Sequence, residues 1–140
     1  ESPITAVSER MSMLATAPLP PEQMLTLIAR NLVNTVRQNA HVFRILISTL
    51  PTMNKAAREK YMTQVVTYAA DTLETYFNAQ IEQGVFRRDA PAQVLTRAFI
   101  GMFFPFVMLR EVLQVESEAA WDYDQVIAAV VPLFLRGALA

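Results

Sequence analysis

Cysteine is absent from the 140 residues, which excludes disulfides and thiolate metal sites and leaves the compartment open, with cytoplasm as the default. Histidine occurs once, as His41, and no second histidine or carboxylate stands at metal-ligand spacing from it. A His-based metal site or a catalytic triad therefore has no support. The three glycines form no phosphate loop, and no GxSxG elbow is present. The densest carboxylate group, Glu116, Glu118, Asp122 and Asp124, reads as a solvated loop with helix caps, so neither catalysis nor a cofactor is expected. Charged residues make up only 18% and the formal net charge is −1, so no basic field is available to hold nucleic acid directly. No run alternates β-branched with polar residues, which leaves an all-α chain.

What is abundant is apolar surface: 53% of residues, against about 45–50% in an ordinary soluble domain. The length suits one domain, residues 1–140, with a real core. The greasiest stretch, AFIGMFFPFVML at 98–109, lies between Arg97 and Arg110 and spans about 18 Å as a helix. A bilayer span needs about 20 apolar residues, so length argues against a membrane, and VIAAVVPLFL at 126–135 is shorter still. The opening ESPITAVSERM has neither an initiator Met nor the layout of a signal peptide, as expected of a piece of a longer protein.

About six helices are expected. Ile4 to Thr16 forms the first, ended by the Pro-rich stretch Ala17 to Pro21, the candidate hinge. EQMLTLIARNLVNTVRQN comes next, with Leu25, Ile28, Ala29, Leu32 and Val36 on one face and Arg30 and Arg37 on the wet side. HVFRILISTL is a short helix stopped by Pro51, and Asn54 caps a long one whose stripe runs from Met62 to Phe77 before Gly84. GVFRRD is a turn, with Asp89 as N-cap and Pro91 in the first turn of a helix from Ala90 to about Val115. Asp122 or Asp124 caps the last helix, which passes Pro132.

The last two helices are apolar nearly all round. Such helices are either central in a monomer's core or covered by a partner. The partner solution joins them to their symmetry mates in a four-helix interface, with Phe104, Met108, Val112, Val130, Leu133 and Phe134 as candidate contacts. Gly101 and Pro105, four residues apart, share a helical face; the proline removes the hydrogen bond to the Gly101 carbonyl, and the resulting kink either opens a space or simply accommodates packing. Arg44 stands alone in an apolar helix, where it either snorkels to water or meets an anion. Tyr61 and Tyr68, seven apart, read first as core residues and also suit the wall of an apolar binding site, while Met102 and Met108 fit an adaptable wall as well as a core.

The segment IEQGVFRRDAPAQVLTRAFIGM, with the closing VPLFLRGALA, resembles the C-terminal domain of the TetR (tetracycline-repressor-like) family of bacterial transcriptional regulators, over most of residues 20–140. That resemblance implies a homodimer whose last two helices make a four-helix bundle, and a cavity in each subunit for a small apolar effector. It further implies a repressor that leaves its operator when the effector shifts two DNA-binding domains. The family's N-terminal helix-turn-helix is not in this sequence, so operator DNA would be contacted only through that further domain. The residues expected to face the cavity are Arg44, Tyr68, Met102, Phe103 and Phe106. The alternative is a dimeric helical interaction module without a small-molecule ligand.

Overall fold

The computed structural model describes residues 19–140, with the side chains of 64–69 and of Ala119 outside the description. The expected first helix, Ile4 to Thr16, and the first two residues of the Pro-rich hinge, Ala17 and Pro18, lie outside the described residues. Residues 19–140 form an all-α bundle, as expected.

Helix α1, Pro21–Gln38, begins where Pro20 and Pro21 preset the backbone, and it places Glu22 in its first turn and Arg37 in its last. Its stripe Met24, Leu25, Ile28, Ala29 and Val33 is buried. Helix α2, Ala40–Thr49, contributes no fully buried residue and ends in a 3-10 turn, Leu50–Thr52, at Pro51. Asn54 then caps α3, Lys55–Glu82, its side-chain oxygen accepting from the Ala57 amide at 2.8 Å. Gly84, at φ 77°, closes that helix in the left-handed conformation open to glycine, and the Val85 amide turns back to the Gln80 carbonyl at 2.9 Å.

Asp89 does not cap the next helix. Its carboxylate is taken by Arg87 in a two-pronged pair, 2.6 Å from Nε and 2.7 Å from Nη2, and α4, Ala92–Val107, starts at Pro91 without a side-chain cap. The backbone stays helical through Pro105, then widens to a π turn, Met108–Val112, in which the Leu113 amide reaches the Met108 carbonyl at 2.8 Å. Gln114, at φ 57°, ends the run. A 3-10 turn, Glu116–Ala120, leads to α5, Tyr123–Ala138. Asp122 makes that start a capping box: it accepts from the Gln125 amide at 2.7 Å while Gln125 accepts from the Asp122 amide at 3.2 Å.

One closed core holds α1, α3, α4 and α5 together. Phe99 lies 5.0 Å from Phe134 and 5.2 Å from Phe103 between ring centres, and Phe77 lies 5.2 Å from Phe86 and 5.7 Å from Phe134. All but the tilted Phe77–Phe134 pair are edge-on, a favoured arrangement for buried rings. The turn after α3 is tied to the end of α5: the Arg87 amide donates to the Ala138 carbonyl at 2.8 Å, the Ala140 amide to Val85 at 3.1 Å, and the Arg87 guanidinium to Gly137 at 3.0 Å.

Together α4 and the π turn cover Ala92–Val112, 21 residues containing an 18-residue window of mean hydropathy 1.6, long and apolar enough to cross a bilayer by length and composition. The expectation that length excludes a span is thereby corrected, because the helix extends well beyond the uncharged run. Within the domain its apolar content is used for packing: Phe99, Phe103 and Val107 are buried in the core.

Candidate functional site

Between α1, α2, α3 and α4 lies a half-open cavity of about 490 Å³. Its size falls within the range of small-molecule sites. One wall comes from the second half of α1, through Leu32, Val33, Thr35 and Val36. A second comes from α2 and its 3-10 turn, through Phe43, Leu46, Ile47 and Leu50. Tyr61, Met62 and Ala70 of α3 and Arg97, Ile100, Gly101, Phe103, Phe104 and Val107 of α4 complete it, with Met108 of the π turn at one end. The cavity exists because α2 stands off the bundle. Its apolar side chains approach the core without entering it.

Of the five expected ligand contacts, Phe103 lines the cavity. Arg44 does not: it donates from Nη1 to the Glu111 carbonyl at 2.9 Å, so it neither snorkels nor faces the cavity but ties α2 to the π turn. Phe106 points elsewhere, edge-on to Trp121 at 6.2 Å, and Met102 packs against the core. The Tyr68 side chain lies outside the described residues. Arg97 and the α1 and α2 walls went unseen as candidates. The available signal was HVFRILISTL itself, a short helix apolar on more sides than one core contact would need.

Gly101 borders the cavity, but a Cβ there would meet nothing within 4 Å, so its small size serves no close approach inside the subunit. Among the candidate dimer residues, Phe104 is 57% and Leu133 58% exposed. Val112, Val130 and Phe134 are buried inside the subunit, a correction to their expected place at a surface. The stripe of α5 that packs inward is Tyr123, Val126, Ile127, Val130, Val131, Phe134 and Leu135, which leaves Ala129 and Leu133 outward. Met108 faces the cavity.

Beside the cavity, the π turn carries a polar cluster. Glu111 receives Arg37 at 3.4 Å on Oε1, Arg110 at 3.7 Å on Oε2, and the Tyr123 hydroxyl at 3.1 Å on Oε2. The Arg37 and Arg110 guanidinium groups lie over the Tyr123 ring, 5.2 and 4.8 Å from its centre, and Arg110 donates to the Trp121 carbonyl at 2.5 Å. Burial, then the hydrogen bond to Glu111, pushes the Tyr123 phenol up to about 12. Helices α1, α2 and α5 thus converge on a turn whose first residue, Met108, borders the cavity. Among the described residues no group of three His, Asp or Glu side chains could hold a metal ion.

The described residues thus form an all-helical domain with a lateral apolar cavity and exposed apolar residues on two of its helices. The family model for the AefR-like transcriptional repressor, C-terminal domain, matches residues 23–137, and the chain belongs to the TetR family of transcriptional regulators. No curated protein and no solved structure matches it.

Proposed function

We propose that this chain is the effector-binding and homodimerisation domain of a cytoplasmic transcriptional repressor, which contacts its operator through a separate N-terminal helix-turn-helix domain and has no catalytic role. The observation that carries this reading is the half-open apolar cavity of about 490 Å³ in a domain of that family. A small apolar molecule bound there acts by its unequal affinity for two arrangements of the dimer, since equal affinity would shift nothing. The π turn is the lever: Met108 borders the cavity, and three residues on, Glu111 gathers Arg37, Arg110 and Tyr123. Dimerisation uses the outward apolar residues of α4 and α5, chiefly Phe104 and Leu133, too exposed to be at rest in water.

A thermal-shift screen of apolar small molecules tests the effector role. A true effector at a hundred times its Kd stabilises the folded protein by about 2.7 kcal/mol, and Ile100→Trp, which fills the cavity, abolishes that shift. A melting temperature that no compound moves would sink the effector role and leave a dimeric scaffold.

A further inference from the structure

Among the described lining residues the wall is apolar except for three side chains, and their states differ. The Thr35 hydroxyl is engaged, donating to the Asn31 carbonyl at 2.7 Å. Tyr61 has no hydrogen-bond partner for its hydroxyl among the described residues, and Arg97 donates from Nη1 to the Gln93 carbonyl at 3.1 Å. Among the described residues the carboxylate paired with Arg97, Glu74 Oε1, is 4.0 Å away, and that oxygen is itself buried without a hydrogen bond. A guanidinium carries five donors, so most of the Arg97 fork is unspent. It is also the only cation among the described lining residues.

Position along the helices gives the cavity a polarity. Arg97 and Met108 are eleven positions apart, roughly 16 Å along the helix axis. Helices α3 and α4 run antiparallel, with Glu74 level with Arg97, so Tyr61, thirteen residues before Glu74, stands toward the Met108 end. Among the described lining residues the space is therefore long and apolar, with a cation, Arg97, at one end and a phenol, Tyr61, toward the other.

We propose that the cavity takes an elongated apolar molecule ending in a single carboxylate, of the fatty-acid type, with the carboxylate on Arg97 and the tail directed at Tyr61 and Met108. The inference rests on the cavity being the effector site. A planar carboxylate matches the guanidinium fork with two parallel hydrogen bonds, whereas a dianionic phosphate would call for a second cation, and the described lining residues hold none. A ligand rich in polar groups would strand them against the apolar wall. Arg97 stands at the mouth, 61% exposed at its side chain, so the pair is partly hydrated and discriminates by about tenfold rather than a thousandfold.

Isothermal titration of the purified protein with dodecanoate and with dodecan-1-ol tests this. The expected result is dodecanoate binding about tenfold tighter than the alcohol, with the difference shrinking as salt is raised. Arg97→Gln should bring dodecanoate down to the affinity of the alcohol and leave the alcohol unchanged, while Arg97→Lys should restore part of the difference. Equal binding of both probes, unmoved by Arg97→Gln, overturns the carboxylate assignment and leaves the cavity as effector site. Binding of neither probe by the unaltered protein overturns both.

Discussion

The two sides of α4 obey different rules. Toward α1, α3 and α5 it meets rings and methyl groups in direct contact, with Phe99 fully buried beside Phe134. Toward α2 it faces about 490 Å³ of space lined by equally apolar side chains. Both sides avoid water, yet only one is filled. The closed side holds the fold together, while the open side gives up dispersion contacts it could have made.

Substitutions separate the two sides by size of effect. Phe99→Ala, in the closed core, should cost about 3–5 kcal/mol in urea unfolding, whereas Phe43→Ala in the cavity wall should cost under about 1.5 kcal/mol, because its ring already lacks neighbours on one side. Equal losses would mean that the cavity is packed in solution. Glu111→Gln, at the boundary of the two sides, should cost about 2 kcal/mol by weakening the bonds from Arg37, Arg110 and Tyr123, with the loss read as a lower urea midpoint at unchanged slope.

Alkaline titration probes the closed side again. Burial pushes Tyr76 up to about 12, and its buried hydroxyl has no hydrogen-bond partner among the described residues; Tyr123 is pushed to about 12 as well. Both folded values lie above the ordinary phenol value of about 10, so their contribution to stability is complete below pH 10 and is lost as pH rises toward 12. Tyr76→Phe should shrink that alkaline loss and, by removing an unpaired buried hydroxyl, be neutral to about 1 kcal/mol stabilising at pH 7, as chemical denaturation across pH would register. The smallest effect belongs to Gly101→Ala, where the added methyl meets only open space in the subunit. It should stabilise the helix by about 0.5–1 kcal/mol in thermal unfolding of a dilute monomer. A loss of dimer in sedimentation by the same variant would place a partner's backbone against Gly101.

Much of the fold was legible from local chemistry. Asn54, Gly84 and Asp122 mark helix ends because capping needs only a side chain or a permissive backbone a few residues away. Asp89 misled for the same reason: a nearer cation, Arg87, outbids the helix for its carboxylate, and nothing in the spacing announces that preference. The site was harder. An apolar period shows which residues shun water, but a filled contact and an empty one have the same period. Phe103 was legible as a wall residue, whereas Met102 and Phe106 on the same helix turn to the core and to Trp121. Val130 and Phe134 versus Leu133 pose the same problem on α5, where every face is apolar and the choice of inward stripe is made by α1 and α4. Arg44 was read by its isolation in sequence, and its partner, the Glu111 carbonyl, lies 67 residues away.

The stitch between residues 85–87 and 137–140 has a mechanical consequence. At one end of the α4–α5 pair, Arg87 fastens the approach to α4 onto the final turn of α5; at the other, Arg110 grips Trp121 and Glu111 grips Tyr123. Two rods riveted at both ends cannot slide past each other. Hydrogen bonds at both ends of the pair oppose sliding of α4 along α5, so under the proposed mechanism a displacement near Met108 would be passed on to α5.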